Sequence, residues 1–369
     1  MGFRFVWIIF VILISGCASI ERISKIEHIK IPIDFNLLQK ADYIDIVYEN
    51  GNFSYISYLK EGATVQKTSL TCQKNNPIFE FKNGIWIWDL SRINGKEQEI
   101  FSYLKSLNFK RVYLQINEDL EKLIPFLELA KANEIEVFAL DGDPSYVINP
   151  QPLIKKIQMV RELNLKKKYF KGFQVDIEPY LFKDFNLNKN FYVEKYISLI
   201  KTLKTLANNT FELSVVIPFW FDEIYLNNTP LAFYVIDIAD EVVIMSYRTN
   251  LDEIIEISES ELCYASSLNK PVYLALEVNK LPDEEHFLVK KEEVLRNLIK
   301  INSWVYLVKL PHEGLKFFKS YKVLSKRLSF FDNPNELKNI LRIKLPYKSF
   351  AGWIVHSLEG LKNGNFYRN

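Results

Sequence analysis

The sequence predicts an α/β fold, a parallel (β/α)8 barrel of the TIM type preceded by a small β-rich segment. From residue 84 onward, short apolar runs typical of buried strands alternate with longer segments of helical periodicity. Eight such runs fall within about 290 residues, which matches this barrel in number and length. A doubly wound parallel sheet is the alternative architecture. Of the 369 residues 48% are apolar, enough for a core of this size.

The N-terminal residues 1–17, MGFRFVWIIFVILISGC, resemble a bacterial lipoprotein signal peptide. Arg4 supplies a basic n-region, and the roughly ten apolar residues after it are too few to span a bilayer. The closing Ile14-Ser15-Gly16-Cys17 is similar to a lipobox, which implies lipidation of Cys17 and anchoring by several acyl chains. A buried helix that ends in Cys is the alternative. Ala18 favours the outer membrane, so we expect a lipid-anchored protein of the bacterial cell envelope.

Residues 18–80 predict a β-rich N-terminal segment. The pieces YIDIVYEN and FSYISYLK alternate apolar and polar residues, and the turn-forming pair Asn50-Gly51 lies between them. The role of this segment stays open at the level of the sequence.

The predicted barrel occupies residues 81–369. Its eight strands are GIWIWD (84–89), RVYLQI (111–116), IEVFALD (135–141), GFQVDIE (172–178), FELSVVIPFW (211–220), EVVIMSY (241–247), PVYLALEV (271–278) and FAGWIVHS (350–357). Amphipathic segments such as EDLEKLIPFLELAKAN and EKYISLIKTLKTLANN predict the helices between them. The tract 279–349 must hold the seventh helix and an insertion.

The fourth strand, in KGFQVDIEPY, carries polar side chains at every second position. Successive side chains of a strand face opposite ways, so an apolar set faces the helices and a polar set faces the lumen. The apolar set is Phe173, Val175 and Ile177, and the polar set is Gln174, Asp176 and Glu178, which Pro179 terminates. The last polar residue then lies at the C-terminal mouth of the barrel, where such enzymes act.

Asp176 and Glu178 are the candidate catalytic pair. Neighbouring carboxylates on one side of a strand lie roughly 6 to 7 Å apart, close enough for their pKa values to be driven apart in a cleft of low dielectric constant. Glycoside hydrolysis uses such a pair, since one group donates a proton to the leaving oxygen and another stabilises positive charge on the sugar. Solvated residues at a strand end are the alternative interpretation.

This strand resembles the fourth strand of glycoside hydrolase family 18, the chitinase-like barrels, which carries a DGxDxDxE motif. KGFQVDIE keeps Gly172, Asp176 and Glu178, and it has Lys171 and Gln174 in place of two aspartates. The resemblance implies that Glu178 is the general acid. It also implies that Asp176 orients the N-acetyl group of the substrate, whose oxygen attacks the sugar carbon in place of an enzyme nucleophile.

Two later strands extend the resemblance, which covers roughly residues 81–369. VVIMSYR is similar to the Met-x-Tyr strand of the family, which implies that Tyr247 holds the acetyl group or an oxyanion. Arg248 stands where the family usually has Asp. GWIVHS places Trp353 where the family has a Trp that floors a sugar subsite, and a core position for Trp353 is the alternative.

Further side chains are expected at the mouth of the barrel. Trp86 and Trp88 share a face of the first strand, and we expect one of them to stack on a sugar, although large aromatic residues are often buried. Gln174 is expected to donate a hydrogen bond to Asp176. The other candidates for substrate binding are Asp89, Asp141 and Trp220, with turn chemistry as the alternative for Asp141.

A second enzymatic hypothesis gives Glu178 a different partner. PVYLALEVN ends the seventh strand with Glu277, where retaining barrel glycosidases place a nucleophilic Glu. Two such carboxylates would lie about 5 to 5.5 Å apart. Alternatively, Glu277 is the buried partner of a cation, for which Arg248 is the expected residue.

Charge and ligand composition argue against several other classes of protein. The net charge of +2, from 47 basic and 45 acidic residues, gives no electrostatic footprint for nucleic acid. No metal is predicted, because no metal-ligand spacing occurs among His28, His286, His312 and His356. No cofactor is predicted either. Beyond Cys17 only Cys72 and Cys263 remain, either as buried free thiols or as a bridge.

The sequence therefore predicts a lipid-anchored barrel that hydrolyses an envelope or extracellular polysaccharide. The resemblance to the family implies that this polysaccharide contains N-acetylhexosamine. A non-catalytic sugar-binding or envelope-assembly lipoprotein is the alternative from another class, because Gln174 replaces an aspartate of the proton relay in the family that the strand resembles.

Overall fold

The computed structural model describes residues 31–61, 70–93, 95–208 and 210–363. The predicted signal peptide, residues 1–17 with Cys17, lies outside the described residues. None of the described helices is long and apolar enough to cross a lipid bilayer. The described residues divide into two compact units. The small β unit comprises residues 31–61 and 283–323, and the barrel unit comprises the other described residues.

Strands and helices alternate along most of the chain. The strands are β1 (Ile31–Ile33), β2 (Tyr43–Glu49), β3 (Asn52–Leu59), β4 (Asn83–Ile87), β5 (Phe109–Gln115), β6 (Glu136–Asp141), β7 (Gly172–Val175), β8 (Glu212–Pro218), β9 (Tyr225–Leu226), β10 (Thr229–Pro230), β11 (Glu241–Met245), β12 (Val272–Glu277), β13 (Glu284–Lys290), β14 (Leu298–Ile301), β15 (Trp304–Leu307), β16 (Lys319–Val323) and β17 (Phe350–His356). The α-helices are α1 (Phe35–Lys40), α2 (Glu97–Ser106), α3 (Ile124–Ala132), α4 (Gln151–Lys167), α5 (Lys189–Ala207), α6 (Leu231–Ile238), α7 (Leu251–Leu268), α8 (Lys291–Arg296), α9 (Ser325–Leu328), α10 (Pro334–Ile340) and α11 (Leu358–Asn363).

Eight parallel strands close the barrel in the order β4-β5-β6-β7-β8-β11-β12-β17, with β17 pairing back onto β4. Each strand coincides with one of the eight apolar runs predicted from the sequence. The predicted (β/α)8 barrel is therefore confirmed, and the doubly wound alternative is wrong. The carboxyl ends of all eight strands share one mouth, as parallel pairing requires.

The side chains of the barrel strands form two apolar layers. The layer between the strands and the surrounding helices includes Phe173, Val175 and Ile177. The other layer fills the lumen and includes Trp86, Tyr113, Phe138, Leu140, Val243 and Tyr273. The prediction that the apolar side chains of KGFQVDIEPY face the helices is therefore confirmed.

A charged network closes the lumen near the starts of the strands. Arg111 of β5 is buried and forms ion pairs with Glu241, at 2.6 Å, and with Glu136, at 2.8 Å. Tyr113 donates a hydrogen bond to Glu241 at 3.0 Å. The buried cation thus has two carboxylate partners, which compensates for its lost hydration.

The small β unit is assembled from two segments that lie far apart in the sequence. In its four-stranded sheet β2 pairs with β3 on one side and with β13 on the other, and β16 lies at the far edge. Positive φ angles of 48° at Asn50 and 81° at Gly51 make the predicted turn between β2 and β3. A second sheet has the order β1-β15-β14. The insertion expected within residues 279–349 supplies β13 to β16 and α8, whereas the domain boundary expected at residue 80 stays a prediction.

A disulfide joins Cys72 to Cys263 of α7. The Cα atoms are 5.4 Å apart, and the two cysteines are separated by 191 residues in the sequence. Of the two alternatives that the sequence left open, the structure has the bridge. A cross-link across so long a loop removes many conformations from the unfolded chain.

Replacing both cysteines by serine is expected to lower the free energy of unfolding by about 2 to 5 kcal/mol, because the unfolded chain regains that freedom. Guanidinium denaturation of the oxidised protein and of the double Cys72→Ser, Cys263→Ser variant measures the difference. Dithiothreitol should lower the midpoint of the wild type and leave that of the variant unchanged. Equal midpoints for the oxidised wild type and the variant would contradict the expectation.

Candidate active site

The mouth of the barrel collects ionisable side chains from four strands. Asp176 and Glu178 follow β7, Tyr247 follows β11, Glu277 ends β12 and His356 ends β17. Three interactions connect them. Asp176 and Glu178 are neighbouring carboxyl groups, and the imidazole of His356 contacts both the carboxylate of Glu277 and the ring of Tyr247. The structure thus brings the predicted Asp176, Glu178, Tyr247 and Glu277 to one end of the barrel, together with a histidine that the sequence interpretation did not include.

Asp176 is a carboxyl group that the protein leaves partly unsatisfied. Its backbone N–H donates to the carbonyl of Asp141 at 3.0 Å, which extends the pairing of β6 with β7. Its Oδ1 atom is buried and has no hydrogen-bond partner among the described residues. Burial, and then the neighbouring charge of Glu178, raise the pKa of Asp176 to about 8, while His356 opposes the shift. Asp176 therefore holds a proton at neutral pH more readily than an exposed aspartate does.

Glu178 is a second acid with a raised pKa, and burial is the main cause. The hydroxyl of Tyr180 donates to its Oε1 atom at 2.6 Å and, with His356, counteracts the rise. The ring of Tyr180 packs edge-on against Trp220, with centroids 4.9 Å apart. Trp220 thus contacts Tyr180, which in turn contacts the candidate acid Glu178.

Tyr247 is half-buried, and its ring stacks on the imidazole of His356 with centroids 5.9 Å apart. Burial raises its pKa, and the charges of nearby carboxylates add to that effect, so its hydroxyl stays protonated. Arg248 turns away from the carboxylates of the mouth. Its Nη1 donates to the carbonyl of Tyr247 at 2.7 Å, and its Nε lies 3.8 Å from Glu253. The expected pairing of Arg248 with Glu277 is therefore wrong.

Glu277 is 3% exposed, and both of its oxygens are engaged. Oε1 accepts hydrogen bonds from the backbone N–H groups of Val278 and Asn279 and from the side-chain amide of Asn279, at 2.7 to 2.8 Å. Oε2 lies 2.8 Å from Nδ1 of His356. A carboxylate held in this way is a rigid anchor for the imidazole, and its hydrogen bonds lower its strength as a nucleophile.

His356 is the residue of the site that the sequence interpretation missed. Its side chain is 29% exposed and lies at the mouth, edge-on to Trp86 at 5.3 Å and to Trp88 at 6.5 Å between ring centroids. The sequence shows it only as one of four scattered histidines. Its position at the end of the eighth strand, where the mouth of a parallel barrel lies, was the available signal.

Trp353 is a core residue and not the floor of a subsite. It is completely buried among the side chains between barrel and helices, and its Nε1 donates to the carbonyl of Ile343 at 2.9 Å. The reason is an extra residue in β17: Val272 pairs with Phe350, whereas Tyr273 pairs with Gly352. This bulge reverses the facing of every later residue of the strand. Gly352 has φ of 148°, and a Cβ atom there would lie 2.2 Å from the carbonyl oxygen of Lys82.

Trp86 and Gln174 form a buried pair inside the lumen. The indole N–H of Trp86 donates to Oε1 of Gln174, whose amide donates to Oγ of Ser214 at 2.9 Å. The expected hydrogen bond from Gln174 to Asp176 is therefore wrong. Trp88 is half-buried, and its Nε1 has no partner within the described part of the chain. Trp86 is too deeply buried to stack on a sugar, whereas for Trp88 sugar stacking stays a prediction.

Asp89 and Asp141 have structural contacts. Asp89 caps a short helical turn by accepting from the backbone N–H of Ser91 at 2.9 Å. Asp141 is buried, and its Oδ2 accepts from the hydroxyl of Tyr146 at 2.9 Å and from Nζ of Lys156 at 2.8 Å. These bonds occupy Asp141 without a substrate. No group of three or more His, Cys, Asp or Glu side chains suited to a metal ion occurs among the described residues.

The mouth therefore combines two acids of raised pKa, one imidazole anchored to a carboxylate, and a protonated phenol. Acids with raised pKa values can donate protons near neutral pH, and the tyrosine hydroxyl can stabilise a developing negative charge or hold a carbonyl oxygen. The arrangement suits acid-assisted cleavage of a bond to oxygen.

No family model matches this sequence, and no curated protein matches it. Similar solved structures include a GH18 chitinase from Cycas revoluta in complex with (GlcNAc)3, at 12% identity and a TM-score of 0.43 over 76% of this chain and 95% of the chitinase. The spore cortex-lytic enzyme SleL of Bacillus cereus is similar at 9% identity and a TM-score of 0.43, over 83% of this chain and 74% of that one. A β-galactosidase from Halorubrum lacusprofundi is similar at 9% identity and a TM-score of 0.40, over 54% of this chain. This chain spans about half, 47%, of that β-galactosidase. Likeness at this level says nothing about what this chain acts on.

The raised pKa of Asp176 predicts that stability depends on pH. The folded protein keeps this proton up to about pH 8, whereas the unfolded chain releases it near the ordinary value of 3.8. Between these values the folded state binds more protons, so stability falls as pH rises. Asp176→Asn removes this pH dependence and is expected to be more stable than the wild type at pH 8 by on the order of 5 kcal/mol, since the difference between a pKa of about 8 and one of 3.8 is lost. Urea denaturation at pH 5 and pH 8 measures it.

The control for this measurement is Glu194→Gln, which removes an exposed carboxylate on α5 and should leave the pH dependence of the wild type unchanged. Parallel pH dependences for wild type and Asp176→Asn would contradict the assigned burial of this carboxyl group.

Proposed function

We propose that this protein is a glycoside hydrolase that cleaves a glycan containing N-acetylhexosamine with assistance from the substrate's own acetamido group. Glu178 is the general acid and Asp176 orients the acetamido group. The single observation that carries the proposal is the pair itself: two carboxyl groups with raised pKa values, two residues apart at the C-terminal mouth of the barrel.

Glu178 is suited to protonate the leaving glycosidic oxygen. Burial raises its pKa, so the carboxyl group keeps its proton to a higher pH than an exposed glutamate does. The hydrogen bond from Tyr180 occupies one oxygen and fixes the orientation of the group. After the leaving group has departed, the same carboxylate can take a proton from the attacking water.

Asp176 is suited to accept the N–H of the acetamido group. Its Oδ1 atom lacks a partner in the described chain, so a substrate donor would satisfy an acceptor that the protein does not. The bond holds the acetamido oxygen against the anomeric carbon, and a hydrogen bond from the hydroxyl of Tyr247 steadies the same group. The half-buried ring of Trp88 offers a surface on which a sugar can stack.

The anchored location is part of the proposal. We propose that the protein works in the bacterial cell envelope, attached through lipidated Cys17, with a polysaccharide of that compartment as its substrate. The N-terminal sequence supports export, and the disulfide between Cys72 and Cys263 is of a kind that persists in oxidising compartments and is rare in the cytosol.

One observation favours a second candidate, a sugar-binding protein without turnover. Gln174 is bonded to Trp86 and Ser214, so Asp176 has no neighbour on its own strand that could relay a proton. A site that binds the acetamido group and cannot cycle the proton would bind glycans only.

The test is turnover by the chain without residues 1–17 on fluorogenic N-acetylglucosamine oligosaccharides and on peptidoglycan. Glu178→Gln is expected to lower kcat by about 10²- to 10⁴-fold, because it removes the acid while keeping the size of the side chain. Asp176→Asn should impair kcat as well, and substrates with a free amine in place of the acetamido group should not be cleaved. Glu194→Gln is the matched control with wild-type activity.

Three results would decide against the proposal. Equal cleavage of acetylated and deacetylated substrates would exclude assistance by the substrate. Activity lost in Glu277→Ala and restored by azide, with a glycosyl azide as product, would establish Glu277 as the nucleophile of a two-carboxylate mechanism. Saturable glycan binding that survives Glu178→Gln, without turnover of any substrate, would leave the binding protein.

A further inference from the structure

His356 and Glu277 are in contact at the mouth of the barrel, and neither has a role in the mechanism proposed above. Nδ1 of His356 lies 2.8 Å from Oε2 of Glu277, and Oε1 of Glu277 accepts three N–H bonds. These three donors hold Oε1 in place and leave Oε2 directed at the imidazole. The two residues end neighbouring strands, β12 and β17, so the barrel itself fixes their separation.

The surroundings of His356 are rich in negative charge. The groups that face it are Glu277 from β12, Asp176 and Glu178 from the segment after β7, Glu359 from α11, Tyr247 from the segment after β11, and the indoles of Trp86 and Trp88 from β4 and its end. Arginine and lysine do not occur in this set. The imidazolium is thus the cation that balances the carboxylates of the mouth, among the groups that the structure describes.

The electrostatic effects run in both directions. Burial alone would lower the pKa of His356, but the hydrogen bond to Glu277 and the charges of Glu277, Asp176 and Glu359 raise it. In return, the charge of His356 lowers the pKa of Asp176 and that of Glu178, against the effect of their burial.

We propose that His356, held by Glu277, is a positioning residue. Its positive charge keeps Asp176 and Glu178 in the singly protonated form, in which the two carboxyl groups together carry one proton. Without this cation, the pKa values of both carboxyl groups would rise further, because burial would act unopposed by a positive charge. The inference rests on the proposed function for its catalytic meaning, although the charge state itself exists without a substrate.

The singly protonated pair is the form that the reaction needs. Asp176 holds the proton of the pair in the substrate-free protein, and in the complex with substrate Glu178 carries it. Glu178 then gives this proton to the glycosidic oxygen as the bond between that oxygen and the anomeric carbon breaks. The acetamido oxygen forms a bond to the same carbon, which places a positive charge on the oxazolinium ring. The carboxylate of Asp176 balances this charge, and water then opens the ring while Glu178 recovers a proton. A doubly protonated pair lacks the balancing carboxylate.

The first test titrates the carboxyl groups of the substrate-free protein by ¹³C NMR with labelled Asp and Glu. His356→Gln is expected to raise the pH at which the pair first ionises by about one unit, and His356→Lys, which restores a cation, should return it toward the wild-type value. The matched control is His312→Gln, which replaces a half-exposed histidine of the small β unit and should not move the midpoint. An unchanged midpoint in His356→Gln would overturn the inference.

A measurement on the wild type guards against variants that fail to fold. The ¹⁵N shifts of the His356 ring, assigned against His356→Gln or by difference from the other histidines, should show both nitrogens protonated at pH 7. A neutral imidazole at that pH would overturn the inference without any variant.

Kinetics connect the charge to the reaction. The acid limb of the kcat/KM profile should move to higher pH in His356→Gln by the same amount as the NMR midpoint, and His356→Lys should move it back. A shifted NMR midpoint in a protein that turns over no glycan would uphold the charge assignment and refute the proposed function. A uniform loss of activity at every pH, with no shift of the midpoint, would assign His356 a packing role only and refute the inference.

Discussion

Side chains of the barrel strands alternate between the lumen and the helices except at the bulge in β17, and the chemistry of the mouth depends on that alternation. Large apolar side chains such as Trp86, Tyr113 and Phe138 fill the lumen beneath. Carboxyl groups that emerge directly above this filling are removed from water on one side. Their raised pKa values follow from this position more than from any single neighbour, since burial is the largest cause for both Asp176 and Glu178.

The two ends of the lumen treat charge in different ways. Near the strand starts, Arg111 is matched by Glu136 and Glu241, so that end is an internal salt bridge. At the mouth, Oδ1 of Asp176 and Oε2 of Glu359 are buried without a partner in the described chain. Satisfied networks stabilise a fold, whereas unsatisfied buried acceptors are expected where a ligand completes the bonding. The same barrel thus separates a stabilising end from a reactive one.

The sequence predicted the regular parts of this arrangement and missed those that depend on distant contacts. All eight strands and the facing of Phe173, Val175 and Ile177 followed from local periodicity. The resemblance to the family selected Trp353 for the mouth, but the extra residue before Gly352 turns Trp353 toward the helices, and His356 faces the mouth instead. The partners of Glu277 and Gln174 were also assigned wrongly, because neighbours across the barrel are set by the register of several strands. The sequence left the pairing of Cys72 with Cys263 open for a similar reason, because the two residues lie 191 positions apart and only the fold brings them together.

The small β unit has a consequence for the biosynthesis of the chain. Its central strand β2 leaves the ribosome early, while its partner β13 is encoded after seven strands of the barrel have been made. At ordinary translation speeds the interval is roughly ten to fifty seconds. During that time β2 has β3 on one side and an open edge on the other, and exposed edges of this kind invite pairing with foreign strands. A chaperone that shields this edge, or passage through a membrane in an extended form, would prevent such pairing. In the complete fold both edges of β2 are paired.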